Sequence, residues 1–299
     1  MTFFENLKKI SKTAVKNESM KKHTSFKIGG NADFMVFPEN VDEIKDVIAL
    51  CNKNNIPYLI MGNGSNMLVS DEGIEGVVIK ISTQMSKVKI TGEKVYAEAG
   101  ILLSTLSKNV LEESLSGLEF ASGIPGTLGG AIVMNAGAYD GEMKDVIEKI
   151  GFVDKYGTVH EISRDEARLG YRTSIFSDSD DIVLYCVLNL KKGNKAEILD
   201  KMNDLNSRRK EKQPLHLPSA GSTFKRPEGY FAGKLIEDCG LKGYSVGGAA
   251  VSEKHSGFVV NINNATATDV KNLISDVQKK VYEKFGVKLE REVKYYGRE

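Results

Sequence analysis

The chain has 299 residues, 41% of them hydrophobic and 27% charged, with 41 basic against 40 acidic side chains and a formal net charge of +1. Such a balance belongs to a folded globular protein of about two domains; it excludes disordered and collagen-like chains and the large positive field of a protein that wraps nucleic acid. Glycine is in excess at 29 residues, about one in ten against a typical ~7%.

The opening residues read as an amphipathic helix, with Phe3, Phe4, Leu7, Ile10 and Ala14 at helical spacing, and lack the apolar core of a signal peptide. Asn40 and Glu43 form a cap pair ahead of a helix whose stripe is Val41, Ile44, Val47, Ile48 and Cys51. Strands are expected at Tyr58–Met61 and Val77–Ile81, followed by a hairpin about Gly92-Glu93 and a helix over Leu102–Leu115. Further strands are expected near Gly151–Asp154, Thr158–Ile162 and Ile182–Leu190. Ser163-Arg164-Asp165-Glu166 reads as a capping box opening a short helix that ends at Gly170. A polar helix over residues 194–212 has Ile198, Leu199, Met202 and Leu205 on one stripe, and an extended link bracketed by Pro214 and Pro218 follows. The last hundred residues predict a helix over Thr268–Phe285, stopped by Gly286, and a strand over Val287–Tyr295. No run of 18 apolar residues is present, so no membrane insertion is expected. Cys51, Cys186 and Cys239 lie far apart and the four histidines have no metal-ligand spacing, so no metal site is expected and a reducing cytoplasmic setting fits.

Two glycine-rich segments carry the chemistry. Gly62-Asn63-Gly64-Ser65-Asn66 directly follows a strand; paired glycines let the backbone turn tightly and aim successive N–H groups at an anion, although a bare GxG is more often an ordinary turn. It is neither a Rossmann nor a P-loop signature. Between Gly117 and Gly141 seven glycines fall in 25 residues, including Ser122-Gly123-Ile124-Pro125-Gly126-Thr127-Leu128-Gly129-Gly130-Ala131 and, shortly after, Asn135. There a stiff turn leads toward a short helix, where glycine admits a planar or phosphorylated ligand to the main chain.

Joined, GNGSN and SGIPGTLGGAIVMNAGAYDGE closely resemble the flavin-binding domain of the UDP-N-acetylenolpyruvoylglucosamine reductase (MurB) family, whose fold is shared with flavoenzymes of the vanillyl-alcohol-oxidase type; His23–Gly30 is similar to the family's N-terminal signature. The resemblance runs from about His23 to Tyr296 and implies an α+β protein with an FAD-binding domain over 1–195, divisible into α/β subdomains 1–85 and 86–195, and a substrate-binding domain over 196–299. It implies non-covalent FAD held by Gly62, Asn63, Gly64, Ser65 and Asn66 and by Ser122, Gly123, Ile124, Pro125, Gly126, Thr127, Gly129, Gly130 and Ala131, with Asn135 nearby, in a cleft between the domains.

Three catalytic positions follow from the same resemblance. An arginine fork suits a carboxylate by chemistry alone, and in Gly170-Tyr171-Arg172-Thr173-Ser174 it matches the family's arginine that grips the enolpyruvyl carboxylate. Ser222, in Ala220-Gly221-Ser222-Thr223-Phe224, has neither a GxSxG elbow nor a spaced histidine base, and it matches the family's proton-donating serine. Glu292 lies on the polar face of the expected last strand, where a solvated face is the plainer reading of the pattern, and matches the family's catalytic glutamate. Tyr171, Lys225, Arg226, Lys234, His255 and Asn261 are candidate substrate contacts. Arg172 and Ser222 are only fifty residues apart, with no room for the tyrosine-bearing loop of the long family type, so the chain resembles the short second type. The implied reaction is NADPH-dependent reduction of UDP-N-acetylglucosamine enolpyruvate to UDP-N-acetylmuramate in peptidoglycan precursor synthesis, with hydride passing from flavin N5 to C3 and a proton from Ser222 to C2. A UDP-sugar is then the one partner, with no nucleic acid and no obligate protein partner. Alternatives are another FAD-linked oxidase of the same fold and a non-catalytic nucleotide-binding module.

Overall fold

The structure, a computed structural model, describes residues 2–299. The chain forms two compact units, one of residues 1–16, 34–63 and 76–209 and the other of residues 17–33, 64–75 and 210–299. These bounds differ from the 1–195 and 196–299 division: segments 17–33 and 64–75 pack with the C-terminal residues, an association distant in sequence that composition does not signal.

The first unit is built on a five-stranded sheet ordered Val159–Ser163, Ile147–Val153, Ile182–Asn189, Lys94–Glu98, Val88–Thr91, antiparallel throughout. Its central strand buries Ile182, Val183, Leu184, Cys186 and Leu188, and a hairpin turned at Gly92 (φ +63°) joins the last two strands. Tyr58–Met61 runs parallel to Val77–Lys80. The helix Val41–Asn54 starts where Asn40 accepts the Glu43 N–H at 2.9 Å, buries Ile44, Val47, Ile48 and Cys51, and ends on left-handed Asn55.

Some expectations fail locally for physical reasons. Ala14 and Leu115 lie beyond the ends of the helices Phe3–Ile10 and Leu103–Glu112. Ser163 and Glu166 make their capping bonds, Ser163 N–H to Glu166 Oε2 at 2.8 Å among them, but no helix follows. The segment closes after one turn because Arg168 enters the left-handed region at φ +47°. In the helix Lys195–Lys212, Ile198, Met202 and Leu205 are buried while Leu199 is 43% exposed, one position off the stripe.

The second unit packs the strands Ser245–Val246, Ala249–Val251 and Val259–Asn261 with the helix Ala267–Phe285, whose Val270, Leu273, Ile274, Val277 and Val281 are buried. Lys294–Tyr296 pairs in parallel with Met67–Val69. The expected strand over Val287–Tyr295 is reduced to these last residues. Upstream of them the chain keeps its alternation, Leu289 and Val293 buried and Lys288 and Glu290 exposed, but pairs through a single bridge, Arg291 with Phe224. The link after Pro214 is a turn, with Leu217 N–H bonded to Pro214 O at 3.1 Å.

The start of Ala267–Phe285 is doubly capped. Thr266 and Asp269 form a capping box, and Asp71 accepts the N–H groups of Ala267 (2.7 Å) and Thr268 (2.9 Å) together with the Thr268 hydroxyl (2.9 Å). Asp71→Ala is expected to cost about 1 kcal/mol of stability, read as a lower urea midpoint at unchanged slope; an unchanged midpoint contradicts the cap's contribution.

Candidate functional site

In the loop after Tyr58–Met61 consecutive main-chain donors go unspent. Among the described residues, nothing accepts the backbone N–H of Gly62, Asn63, Gly64 or Ser65. Gly64 is buried at φ +64°, so its N–H lacks both a protein partner and full hydration. Gly62 admits no side chain: a Cβ there would lie 2.1 Å from Thr127 Oγ1. Asn63 anchors the turn by donating Nδ2–H to Pro125 O at 2.7 Å. Gly62 and Asn63 belong to the first unit, Gly64, Ser65 and Asn66 to the second.

In the second glycine segment, Leu128 and Gly129 give their N–H groups to Ile101 O and Ala99 O, both at 2.8 Å, and Leu103 N–H reaches Gly126 O at 3.0 Å. These bonds fix the turn and leave the N–H groups of Gly123, Gly126, Thr127 and Gly130 without acceptors among the described residues. Gly126 and Thr127 are buried. Buried donors of this kind, with close backbone approach guaranteed by glycine, fit the phosphates of a dinucleotide such as FAD. Ala131 and Ile124 line the same segment, and Ser122 bonds Glu119 O at 2.9 Å.

Asn135 has another task. It is fully buried in a left-handed conformation (φ +40°). Its amide donates to Glu142 Oε2 at 2.6 Å and to Gly170 O at 2.9 Å, and its Oδ1 accepts Lys144 N–H at 2.9 Å. Both amide hydrogens are therefore taken by protein. Gly170 and Thr173 close a two-residue turn in which Arg172 alone has positive φ, +54°, the sign pattern of a type II turn. The Arg172 guanidinium donates to Gly137 O at 3.1 Å and lies 5.1 Å from the ring of half-exposed Tyr171. Asn135 and Gly137 thus hold the turn and the head of Arg172 respectively.

In the second unit, backbone bonding brings two of the expected catalytic residues together. Glu292 N–H donates to Thr223 O at 2.9 Å, and Lys225 N–H to Glu290 O at 2.9 Å, so Ser222 sits one residue from the carbonyl that Glu292 engages. Asn66 Nδ2–H bonds Glu292 O at 3.1 Å, and Asn66 O accepts Lys294 N–H at 3.1 Å. Thr223 is buried, its hydroxyl accepting Val259 N–H at 2.9 Å, while Ser222 is exposed and its hydroxyl has no partner among the described residues.

The expected substrate contacts divide. Lys225 pairs with Glu290 at 3.3 Å, and Arg226 stacks on Phe231 with 4.0 Å to the ring centroid. Lys234 bonds Asp238 on its own helix, which raises its pKa. His255 Nδ1 accepts Gly257 N–H at 3.1 Å and its ring meets Phe258 edge-on at 5.0 Å; burial holds its pKa below the ordinary histidine value, leaving a neutral ring with the Nε2–H tautomer. Asn261 is nine-tenths buried and spends its amide on Phe26 O (3.2 Å) and Ala265 N–H (2.9 Å), a loop tie. One side chain absent from the sequence reading is Arg209, set against Gly123. Next to Arg208 in a polar helix it carries no sequence signal of its own. Among the described residues no cluster of His, Cys, Asp and Glu could hold a metal ion, and no helix is long and apolar enough to cross a membrane.

Replacing Asn135 by Ala would take the acceptor from the Lys144 N–H and leave the half-buried Gly170 carbonyl with only the long Thr173 N–H bond of 3.4 Å, an expected loss of roughly 1–3 kcal/mol measurable in urea unfolding. A change within 0.5 kcal/mol would show that these bonds do not hold the Arg172 turn.

Comparison with known proteins bears on this arrangement. Residues 32–163 match the model of an FAD binding domain, and residues 213–296 that of the C-terminal domain of UDP-N-acetylenolpyruvoylglucosamine reductase. The UDP-N-acetylenolpyruvoylglucosamine reductase of Alkaliphilus oremlandii is 59% identical over 283 residues, covering 95% of this chain and 93% of that protein. That of Caldanaerobacter subterraneus subsp. tengcongensis is 57% identical over 281 residues, covering 94% and 93%. The crystal structure of the Thermus caldophilus enzyme (MurB) superposes with a TM-score of 0.81 at 36% identity, covering 95% of this chain and 98% of that one. The chain therefore belongs to the UDP-N-acetylenolpyruvoylglucosamine reductase family.

Proposed function

We propose that the protein reduces UDP-N-acetylglucosamine enolpyruvate to UDP-N-acetylmuramate, with NADPH as the reductant, in peptidoglycan precursor synthesis. The observation that carries this reading is the 59% identity to a reductase of that name over 95% of the chain. The unspent N–H groups at Gly62–Ser65 and Gly123–Thr127 support it as holders of the FAD phosphates. FAD, once bound and reduced by NADPH, supplies the hydride that reaches C3 of the enolpyruvyl group.

Each residue's role follows from what that addition does to the substrate. Hydride at C3 leaves an electron pair at C2 that spreads into the carboxylate. Arg172, held in its turn, donates two parallel N–H bonds to those oxygens and gains strength as their charge grows. The Ser222 hydroxyl, unengaged by the protein, protonates C2; its own proton is restored from water, with the Glu292 carboxylate orienting that water. Glu292 is suited to this by a main chain pinned at both its N–H and its carbonyl. Lys225 and Arg226 remain the side chains proposed for substrate charge. Asn135 and Asn261 are assigned to support, since each spends its amide on protein, while Lys234 and His255 stay candidate substrate contacts. An oxidase of the same fold would reoxidise its flavin with oxygen and leave Arg172, Ser222 and Glu292 without a joint task.

The test is anaerobic single turnover. The NADPH-reduced protein should be reoxidised by the enolpyruvyl sugar nucleotide with one UDP-N-acetylmuramate formed per flavin; reoxidation by oxygen alone would reject the reading. Ser222→Ala is expected to keep flavin reduction by NADPH and to slow reoxidation by substrate by about 10²-fold or more. Equal slowing of both half-reactions would reject the proton-donor role.

A further inference from the structure

The polar helix Lys195–Lys212 presents, on its part in the first unit, two adjacent arginines with opposite fates. Arg208 is exposed and pairs with Asp204 at 2.8 Å. Arg209 is half-buried, and among the described residues its guanidinium has no hydrogen-bond or ion-pair partner. Burial pulls its pKa down, and the one titratable neighbour acting the other way is the phenol of Tyr139. A charge in this position costs stability unless an anion meets it.

The surroundings say where that anion lies. Asn206 donates Nδ2–H to Ser122 Oγ at 3.2 Å, and the Tyr139 hydroxyl donates to Leu205 O at 2.8 Å, the carbonyl one helical turn before Arg209. These two bonds dock the helix on the glycine segment. A Cβ at Gly123 would stand 2.5 Å from Asn206 Oδ1, 3.2 Å from Arg209 Cδ and 3.7 Å from its Nη1. The Asn206 amide oxygen, with the Arg209 stem in tight contact beside it, thus favours glycine at 123. The Gly123 N–H has no acceptor among the described residues, and those of Gly126 and Thr127 are in the same condition. A guanidinium beside unspent main-chain donors is suited to tetrahedral oxyanions.

We infer that Arg209 is a phosphate-binding residue, its guanidinium taking phosphoryl oxygens of a bound nucleotide diphosphate at the glycine segment. The inference rests on the proposed reaction, which brings three diphosphates to the protein: FAD, NADPH and the UDP-sugar. Their shared chemistry is what Arg209 recognises, and the experiment separates the sources.

Arg209→Gln and Arg209→Lys are compared with the wild type as holoproteins. Three quantities are read: FAD retained per chain and its dissociation constant, the constant for NADPH in flavin reduction, and that for the enolpyruvyl sugar nucleotide in reoxidation. The Gln variant should weaken one of the three by about tenfold or more, the scale of a lost charge-assisted hydrogen bond. The Lys variant should recover part of it, since it keeps the charge without the fork. The constant that moves names the source. All three within twofold of wild type in the Gln variant, or equal losses in Gln and Lys alongside an equal fall in Tm, would overturn the inference, the latter by showing a packing role. If the Gln variant does not fold, the Lys variant decides: one constant raised threefold or more at unchanged Tm supports the inference, and unchanged constants overturn it. Failure of the wild type itself to pass electrons from NADPH to the sugar nucleotide would instead sink the proposed reaction.

Discussion

The site depends on main-chain N–H groups that the fold declines to pair. A chain with net charge +1 has no large overall positive field with which to draw in diphosphates. What it has are two glycine-rich turns, at Gly62–Ser65 and Gly123–Thr127, whose donors find no acceptor among the described residues. Unpaired buried N–H groups are rare because each carries a desolvation cost. The surrounding bonds read as the means of holding that arrangement: Asn63 to Pro125 O, Leu128 and Gly129 to the carbonyls of Ile101 and Ala99, and the steric contact that keeps residue 62 a glycine.

The proposed chemical groups stand on backbone that neighbouring bonds anchor. Arg172 stands on a turn whose first carbonyl is fixed by buried Asn135. Ser222 is exposed next to buried Thr223, and Glu292 is fixed through its own peptide groups to Thr223 and Asn66. Anchoring through the main chain lowers the entropy cost of positioning these groups at each turnover.

How much of this was legible depended on whether the controlling interaction was local. The cap of Asn40, the stop at Gly286 and the hairpin at Gly92 follow from neighbours in sequence and stand where the pattern put them. Ser163–Glu166 satisfied its local rule and still made no helix, because Arg168 turned the chain. The alternation of residues 287–293 is that of extended chain, and pattern alone does not distinguish it from a paired strand. Asn135 and Asn261 were grouped with ligand contacts because burial and hydrogen-bond partners are invisible in sequence; both turn out to spend their amides on distant carbonyls. Arg209 was missed for the converse reason, since only tertiary packing distinguishes it from exposed Arg208.

The most direct measurement is amide hydrogen exchange of the protein with and without FAD. The account predicts that peptides covering Gly62–Ser65 and Gly123–Thr127 exchange readily in the FAD-depleted protein and slow about tenfold or more when FAD is restored, since a donor without an acceptor gains one only from the ligand. Equal exchange at both turns in the two states, with FAD shown to be bound, would contradict it.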